Sequence, residues 1–457
     1  MAAPTNMTQN RILPMLMLSV LSARVMAADV DLTMHLGDTY TDNALLLRDG
    51  GPSDNIGGAA AKLDLTADGE HYQANVRSAL TYLHYFNGTQ DDELLRGFSG
   101  DLRIFVLPQR FSWIVQENYG PVLENPLSPD RPDNWTYDSY FTTGPDLQVG
   151  DNDGFHVLVS GRYSRADYEI DTVPSNQQYV GLVSFALPGS ARTERSLQVS
   201  AKRVEQDEIT TPGLTLPADG YDVQEAYFRW ATELKRGGFF IDAGASQLND
   251  GGESSSAPLA RVGFDRTVSR SLTLSLGAGT QYSDDLKRFG RLQGDAPDVN
   301  TPREDVTLGD GPMQEDFVDA TLGLASTRTT GALRIAYNRL EPQDGDSAFG
   351  RQEYRNVTLE VRRQVSPRLD LTAGGSFDRR EFGRIGRKDD DVYGYLSAGW
   401  RAWREFEVRL TGRVQKRNSN DTDSEFTARS VQLEFIYQAY ARQTPRRQQK
   451  FLNRDLR

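Results

Sequence analysis

The stretch Val431 to Tyr440, taken with the residue just before it, shows an alternation of apolar and polar positions with one exception. A period of two predicts a β-strand with one apolar face and one hydrated face. Because the same pattern recurs along the chain, we expect the apolar faces to contact lipid; the alternative is an edge strand of a soluble sandwich. The apolar row is Val431, Leu433, Phe435, Tyr437 and Ala439, and the polar row is Ser430, Gln432, Glu434 and Gln438, broken only by Ile436.

Alternating segments recur in pairs that are joined by short turns, as expected for β-hairpins with one apolar face. The first pair, Ala61 to Leu65 and Tyr72 to Tyr82, is joined at Ala67 to Gly69, and later pairs repeat the arrangement. Connections between pairs are longer and rich in Gly, Asp and Pro, as in Asn43 to Asn55 and Gly383 to Asp391. This asymmetry is typical of outer-membrane barrels, which have short periplasmic turns and long extracellular loops.

The predicted fold is therefore all-β, a single transmembrane antiparallel up-and-down β-barrel. Counting segments gives about 20 strands, with 18 as the alternative. Both chain ends are expected on the short-turn, periplasmic side. The longest connection, Ser283 to Glu315, shows no alternation and is either a constriction folded into the lumen or a solvated surface loop.

Three regions follow from this reading. Residues 1–28 combine Arg11, an apolar run too short to span a bilayer, and small residues before Ala28, so they predict a secretory signal peptide. Residues 29–440 form the barrel. Residues 441–457, with six basic side chains against Asp455, are expected to be a periplasmic tail.

Composition excludes several functional classes. The formal net charge of the chain is -13, which makes nucleic acid an unsuitable partner. There is no Cys, and His35, His71, His84 and His156 lack metal-ligand spacing, so neither a metal site nor a cofactor is predicted. No Gly-x-Ser-x-Gly elbow occurs, and no catalytic residue is assigned, so we expect a protein that is not an enzyme.

The informative chemistry lies on the polar faces, where basic residues recur in register with the side away from lipid. A midplane Arg facing lipid would cost about 2–4 kcal/mol, so we expect these residues to line a hydrated lumen. They either attract an anionic or hydroxylated solute, or form cross-strand ion pairs with acids such as Asp64, Asp242 and Glu407 that stiffen the wall. The candidates are Arg77, Arg103, Arg162, Lys202, Arg229, Arg261, Arg334, Arg362, Arg409 and Arg413.

A hexapeptide after the first strand, Asp38-Thr39-Tyr40-Thr41-Asp42-Asn43, resembles a hallmark of the outer-membrane barrel family associated with PEP-CTERM/exosortase exopolysaccharide loci. The segments Asn118 to Pro121 and Arg131 to Asn134 fit the layout of that family. The resemblance implies an outer-membrane component of a polysaccharide secretion machine that works with a periplasmic polysaccharide export protein. It implies no catalytic residues.

Together these observations predict a bacterial outer-membrane conduit for a secreted exopolysaccharide. The first alternative is a general or substrate-selective porin for small solutes. The second is an outer-membrane hydrolase that modifies polymers. The expected partners are outer-membrane lipid, the polysaccharide and the export protein.

Overall fold

A computed structural model describes residues 28–151, 154–170, 173–190, 192–211, 214–216, 219–283, 311–343, 347 and 349–440. The predicted signal peptide up to residue 27, most of the Ser283 to Glu315 connection and the basic tail lie outside these residues and stay predictions. The first strand is described from Ala28 onward. Among the described residues, no helix is long and apolar enough to cross a membrane.

Twenty long strands form one antiparallel sheet, and a small hairpin lies in the connection between the ninth and tenth wall strands. The first eleven wall strands are β1 (Ala28–Thr41), β2 (Asp54–Asp68), β3 (Tyr72–Tyr85), β4 (Glu93–Leu107), β5 (Phe111–Leu123), β6 (Trp135–Gly150), β7 (His156–Tyr168), β8 (Asn176–Ser190), β9 (Thr193–Gln206), β12 (Gly220–Leu234) and β13 (Gly237–Asp250), and the small hairpin is β10 (Ile209–Thr211) with β11 (Leu214–Leu216). The remaining wall strands are β14 (Glu253–Thr267), β15 (Leu272–Ser283), β16 (Met313–Ala325), β17 (Thr329–Pro342), β18 (Gln352–Gln364), β19 (Leu369–Phe382), β20 (Arg387–Arg401), β21 (Phe406–Ser419) and β22 (Phe426–Tyr440).

The sheet closes on itself because β1 pairs with both β2 and β22. The closing register runs from Asp31 opposite Tyr440 to Thr41 opposite Ser430. The predicted closing strand and the count of 20 are therefore confirmed, and the alternative of 18 strands is wrong. Closure leaves no unpaired strand edge in the wall, which is the condition for a sheet to cross a bilayer.

The outer and inner faces of the wall differ as the alternation predicts. On β22 the outward side chains Val431, Leu433, Phe435 and Tyr437 are exposed, whereas Ile436 and Glu434 on the inner face are buried. Ile436, which breaks the polar row, lies opposite His35 of β1. A belt of exposed apolar side chains on a closed barrel is the lipid-facing surface of a membrane protein.

The two rims also differ as predicted. Every turn on the rim that carries both chain ends has five residues or fewer, whereas the other rim carries the connections 42–53, 86–92, 124–134, 207–219 and 284–312. Two connections on the long-loop rim are nevertheless short. Gly251 and Gly252, both with positive φ, make a two-residue turn between β13 and β14, a conformation that glycine adopts readily.

The connection Gly383 to Asp391 is also shorter than predicted, because β20 begins at Arg387. The charged run continues the strand in alternation: Arg387, Asp389 and Asp391 lie on the inner face, and Lys388 and Asp390 point outward. The sequence pattern missed this part of the strand because both faces are charged where the wall rises above the lipid. Similarly, β16 begins at Met313, inside the predicted connection.

One acidic side chain lies on the outward face of the wall, where apolar side chains are expected. Glu117 of β5 lies opposite Phe141 of β6, on the outward row that includes Trp113 and Val115. It is 6% exposed, so neighbouring side chains cover it, and its Oε2 atom has no hydrogen-bond partner among the described residues. Nothing in the structure explains this carboxyl group on the outer row.

The absence of native Cys allows a direct test of the two rims by single-cysteine labelling. Ile385→Cys lies at the long-loop rim and Arg110→Cys at the short-turn rim, both at exposed positions. We expect a membrane-impermeant maleimide to label Ile385→Cys in intact cells and Arg110→Cys only after the outer membrane is permeabilised. The opposite pattern would show that the orientation is inverted.

Candidate conduit and its mouth

The inner face of the wall holds acids that are each shared by two arginines from different strands. Asp242 of β13 is 1% exposed. It forms ion pairs with Arg229 of β12 at 3.3 Å and with Arg261 of β14 at 3.0 Å. Asp146 of β6 likewise pairs with Arg162 of the adjacent β7 at 2.5 Å and with Arg103 of β4, two strands away, at 3.9 Å. Each acid therefore holds two cations on one patch of wall, since opposite charges across strands attract.

Aromatic rings and amides extend the patch around Asp242. The Arg229 guanidinium lies 4.7 Å from the ring centre of Phe240, and that of Arg261 lies 4.8 Å from the ring of Tyr227. The Tyr227 hydroxyl donates to Gln198 Oε1 at 2.6 Å. Gly263 lies under Phe240, where a Cβ would approach the ring to 2.1 Å, so glycine is required for the ring to lie flat on the wall.

A second tyrosine ring lies over a glycine further along the wall, and its hydroxyl reaches the strand beyond. Tyr395 of β20 lies over Gly374 of β19, where a Cβ would be 2.5 Å from the ring. Its hydroxyl thereby reaches Glu360 of β18 and donates to Oε2 at 2.5 Å. The inner wall thus presents donors, acceptors and ring faces that are held in place by neighbouring strands.

All ten basic candidates lie on the inner face in the observed register, and most have a partner. Arg77 pairs with Asp64 at 3.4 Å, Arg362 with Asp370 at 3.1 Å and Arg409 with Glu407 at 2.5 Å. Lys202 lies over the ring of Tyr221, and Arg334 lies between Thr321 and Thr358 in register. The interpretation as cross-strand pairs fits Arg77 and Arg362, whereas Arg409 and Glu407 lie two residues apart on β21. A role in moving a solute stays a prediction.

The mouth of the barrel is partly crossed by residues 124–134, which we call the crossing segment. It joins β5 to β6, yet its backbone carbonyls contact β19, β20 and β21. Along the wall, β5 and β20 are seven strand spacings apart, or about 34 Å at about 4.8 Å each. The crossing segment therefore runs across the opening of the barrel and does not follow its rim.

Three buried arginines bind the crossing segment at Pro126 and Leu127. Arg380 donates to the Pro126 carbonyl at 3.2 Å, and Arg387 and Arg417 donate to the Leu127 carbonyl at 2.5 and 3.4 Å. The same arginines pair with inner-face acids: Arg387 with Asp389 at 3.0 Å, and Arg380 and Arg417 with Asp391 at 2.5 and 2.7 Å. The acids fix the guanidinium groups, whose remaining N–H donors then bind the segment.

Asn134, the last residue of the crossing segment before β6, stabilises it through side-chain hydrogen bonds. Its side chain donates to the carbonyls of Asn125 at 2.9 Å and Pro129 at 3.2 Å, and accepts from the Asn125 N–H at 2.9 Å. The neighbouring Arg131 donates to the Leu45 carbonyl at 3.0 Å. The motif Arg131 to Asn134 thus shapes the segment and attaches it to the first long connection.

The hexapeptide motif organises that first connection. Asn43 is 1% exposed, and its side chain donates to the carbonyls of Leu47 at 2.8 Å and Thr427 at 3.0 Å while accepting from the N–H groups of Leu47 and Gly51. Asp42 accepts from the Arg429 N–H at 2.7 Å. Both sequence motifs therefore lie at the mouth, where Arg131 bonds to Leu45, two residues after the hexapeptide. Neither spacing indicated that they would be close.

Several residues of this site were missed by the sequence patterns. Asp146 lies next to the outward Leu147 on β6, and this alternation could have identified it as an inner-face acid. Arg380, Arg387 and Arg417 could not be assigned, because their partners come from a connection more than 250 residues earlier. In the described part of the chain, no group of His, Cys, Asp and Glu could hold a metal ion.

The location of the protein follows from its closed wall, which has an apolar outer belt and a polar inner face. The protein is a bacterial outer-membrane β-barrel. Residues 319–439, from within β16 to β22, match the family described as "Putative beta-barrel porin 2". A search of curated protein sequences found no significant match.

Comparison with solved structures gave matches of low similarity to receptors and transporters. The siderophore receptor PirA from Pseudomonas aeruginosa is 11% identical with a TM-score of 0.45, over 89% of this chain and 80% of that chain. The FrpB iron transporter from Neisseria meningitidis is 10% identical with a TM-score of 0.47, over 92% and 84%. The copper transporter OprC is 9% identical with a TM-score of 0.46, over 90% and 81%. At this level the matches carry no argument about a transported solute.

Replacing Asp242 tests whether the shared acids neutralise the inner wall. Asp242→Asn leaves Arg229 and Arg261 without their carboxylate, so we expect the free energy of unfolding to fall by about 1.5–3 kcal/mol and the current to shift toward anions. Urea unfolding in lipid vesicles and the reversal potential in a salt gradient measure the two effects. The control is Asp64→Asn, whose carboxylate is exposed and should cost less than about 1 kcal/mol. Equal effects of the two substitutions would contradict this account.

Asn134→Ala tests the crossing segment. The substitution removes its three side-chain hydrogen bonds, each contributing about 0.5–1.5 kcal/mol, so the segment should detach from the mouth while the wall stays closed. We expect a larger single-channel conductance with unchanged heat-dependent gel mobility. Asn418→Ala, at an exposed outward position of β21, is the control. An unchanged conductance in Asn134→Ala would show that the segment does not restrict the opening.

Proposed function

We propose that the barrel is a conduit through which an exopolysaccharide is secreted across the outer membrane. The observation that carries this proposal is the inner wall, on which charges are paired and interleaved with hydroxyl, amide and aromatic groups. Arg229 and Arg261 share Asp242, and Tyr395 bonds Glu360. Such a surface offers hydrogen-bond donors and acceptors without a strong net charge.

The chemistry of a saccharide explains why this wall suits it. Sugar hydroxyls both donate and accept hydrogen bonds, and the C–H face of a sugar ring packs on aromatic rings. Paired arginines and carboxylates supply both functions in fixed positions, and their opposite charges avoid trapping a passing polymer through one strong interaction. A row of unpaired arginines would instead favour small anions.

The mouth supports the same function. The resemblance to exopolysaccharide-locus barrels rests on the hexapeptide Asp38 to Asn43 and the segment Arg131 to Asn134. Arg131 donates to the carbonyl of Leu45, two residues after the hexapeptide, so both motifs lie at the mouth. On this proposal the short-turn rim faces a periplasmic export protein that delivers the polymer, and the chain performs no reaction on it.

A porin for small solutes is the second candidate, and the family match over residues 319–439 favours it. A polymer-modifying hydrolase, the third, has no assigned catalytic group. The three candidates differ in what accumulates in the cell. A conduit affects the location of the polymer, a porin affects uptake of small solutes, and a hydrolase affects polymer chain length.

Deletion of the gene tests the proposal directly. We expect the surface polysaccharide to disappear and polymer of unchanged length to accumulate in the periplasm, with recovery when the wild-type chain is restored. Cell fractionation followed by size-exclusion chromatography of the polymer measures both. Normal surface polysaccharide with slower solute uptake would favour the porin, and longer polymer at the surface would favour the hydrolase.

A further inference from the structure

A cavity of about 240 Å³ lies between the crossing segment and the inner face of β1–β3 and β20–β22. The hexapeptide residue Asn43, the segment residues Asp130 and Arg131, and Trp135 of β6 form its side toward the mouth. At about 30 Å³ per water, it has room for about eight water molecules, which is enough for one sugar ring. It is therefore a bounded site beside the open lumen.

The cavity exists because the wall beneath it is made of small residues. Gly37, Gly58 and Ala60 line it on β1 and β2, and Ala428 lines it on β22. A Cβ on Gly58 would meet only Leu83 Cδ2, at 3.7 Å, so the space in front of this residue is open. A larger side chain at Gly58 would therefore fill the cavity without disturbing the backbone, whereas a Cβ on Gly37 would lie 2.8 Å from the Leu433 carbonyl oxygen.

Arg413 differs from most cations on the inner face. Its guanidinium donates to the neutral amide oxygen Gln432 Oε1 at 2.5 Å, and no described carboxylate lies within 4.0 Å of it. This is the single side-chain hydrogen bond that Arg413 makes to the described residues. A guanidinium has five N–H donors in a planar fork that matches a carboxylate, so most of its binding capacity is unused.

The other charged groups at the cavity have partners. Glu434 bonds His35 at 2.7 Å, Arg131 pairs with Asp133 at 2.7 Å, and Asp130 accepts from the Trp135 indole at 2.7 Å. Lys62 adds a further positive charge to the wall. The cavity lining thus carries both signs of charge, and Arg413 is a cation with no described carboxylate within 4.0 Å.

We propose that this cavity binds an acidic sugar residue of the secreted polymer, a uronic acid whose carboxylate is held by Arg413. The proposal rests on the conduit function above and names its substrate class as a carboxylated polysaccharide. His35, oriented by Glu434, and the hydroxyl groups of Thr39, Thr41 and Ser430 line the same space and are suited to sugar hydroxyls. Bound at the mouth, the acidic residue would guide the polymer along one side of the opening.

Single-channel recording with oligoglucuronate and a neutral glucan of equal length, added from the long-loop side, tests the proposal. For the wild-type barrel we expect both sugars to block the current, with oligoglucuronate effective at concentrations at least tenfold lower. Arg413→Gln should remove this preference and Arg413→Lys should retain part of it. Gly58→Val, which fills the cavity, should also remove the preference.

Lys416→Gln is the matched control, because it removes the same charge from the same strand at an exposed, outward position. Its preference for oligoglucuronate should equal that of the wild-type barrel, and heat-dependent gel mobility checks that each variant is folded. Equal block by the two sugars would overturn the acidic-sugar site and leave the conduit standing. Absence of block by either sugar would count against the conduit itself.

Discussion

Hydrogen bonding of the backbone inside a bilayer is the constraint on which the structure depends. Lipid offers no partner for a free N–H or C=O group, so a sheet can cross the membrane only if its first and last strands pair. The pairing of β1 with β22, from Asp31 opposite Tyr440 to Thr41 opposite Ser430, meets this condition. With the wall closed, each strand needs only alternate apolar residues, which is why a chain with a mean hydropathy of -0.57 can be a membrane protein.

Closure with 20 strands creates a wide lumen, and the inner face must stabilise charges in it without filling it. Asp242 does so by joining arginines of the two neighbouring strands, and Asp146 by joining Arg162 of the neighbouring strand and Arg103 of β4, two strands away. At the mouth, the crossing segment narrows the opening because Arg380, Arg387 and Arg417 bind its carbonyls and Asn134 braces its other end. The paired wall and the partly crossed mouth are thus two parts of one conduit.

The period of two was sufficient to predict the strands, their number and the closing strand, because it reflects a local property, the alternation of lipid and water along each strand. The sequence could not predict which acid each arginine meets, since that depends on the register between strands. The path of residues 124–134 could not be predicted from the sequence either, because the partners on β19 to β21 are remote in sequence. The early start of β20 was missed because Arg387, Asp389 and Asp391 are as polar as the outward Lys388 and Asp390.

The central claim is that the inner wall is a hydrated surface adapted to saccharides. The most direct measurement compares block of the single-channel current by dextran fragments with block by polyethylene glycols of the same hydrodynamic size. The account predicts a conducting channel with weak ion selectivity, in which dextran fragments block for longer than the matched glycols, because sugar hydroxyls bond the paired side chains. Equal block times for the two polymers, or a barrel that conducts no ions, would contradict it.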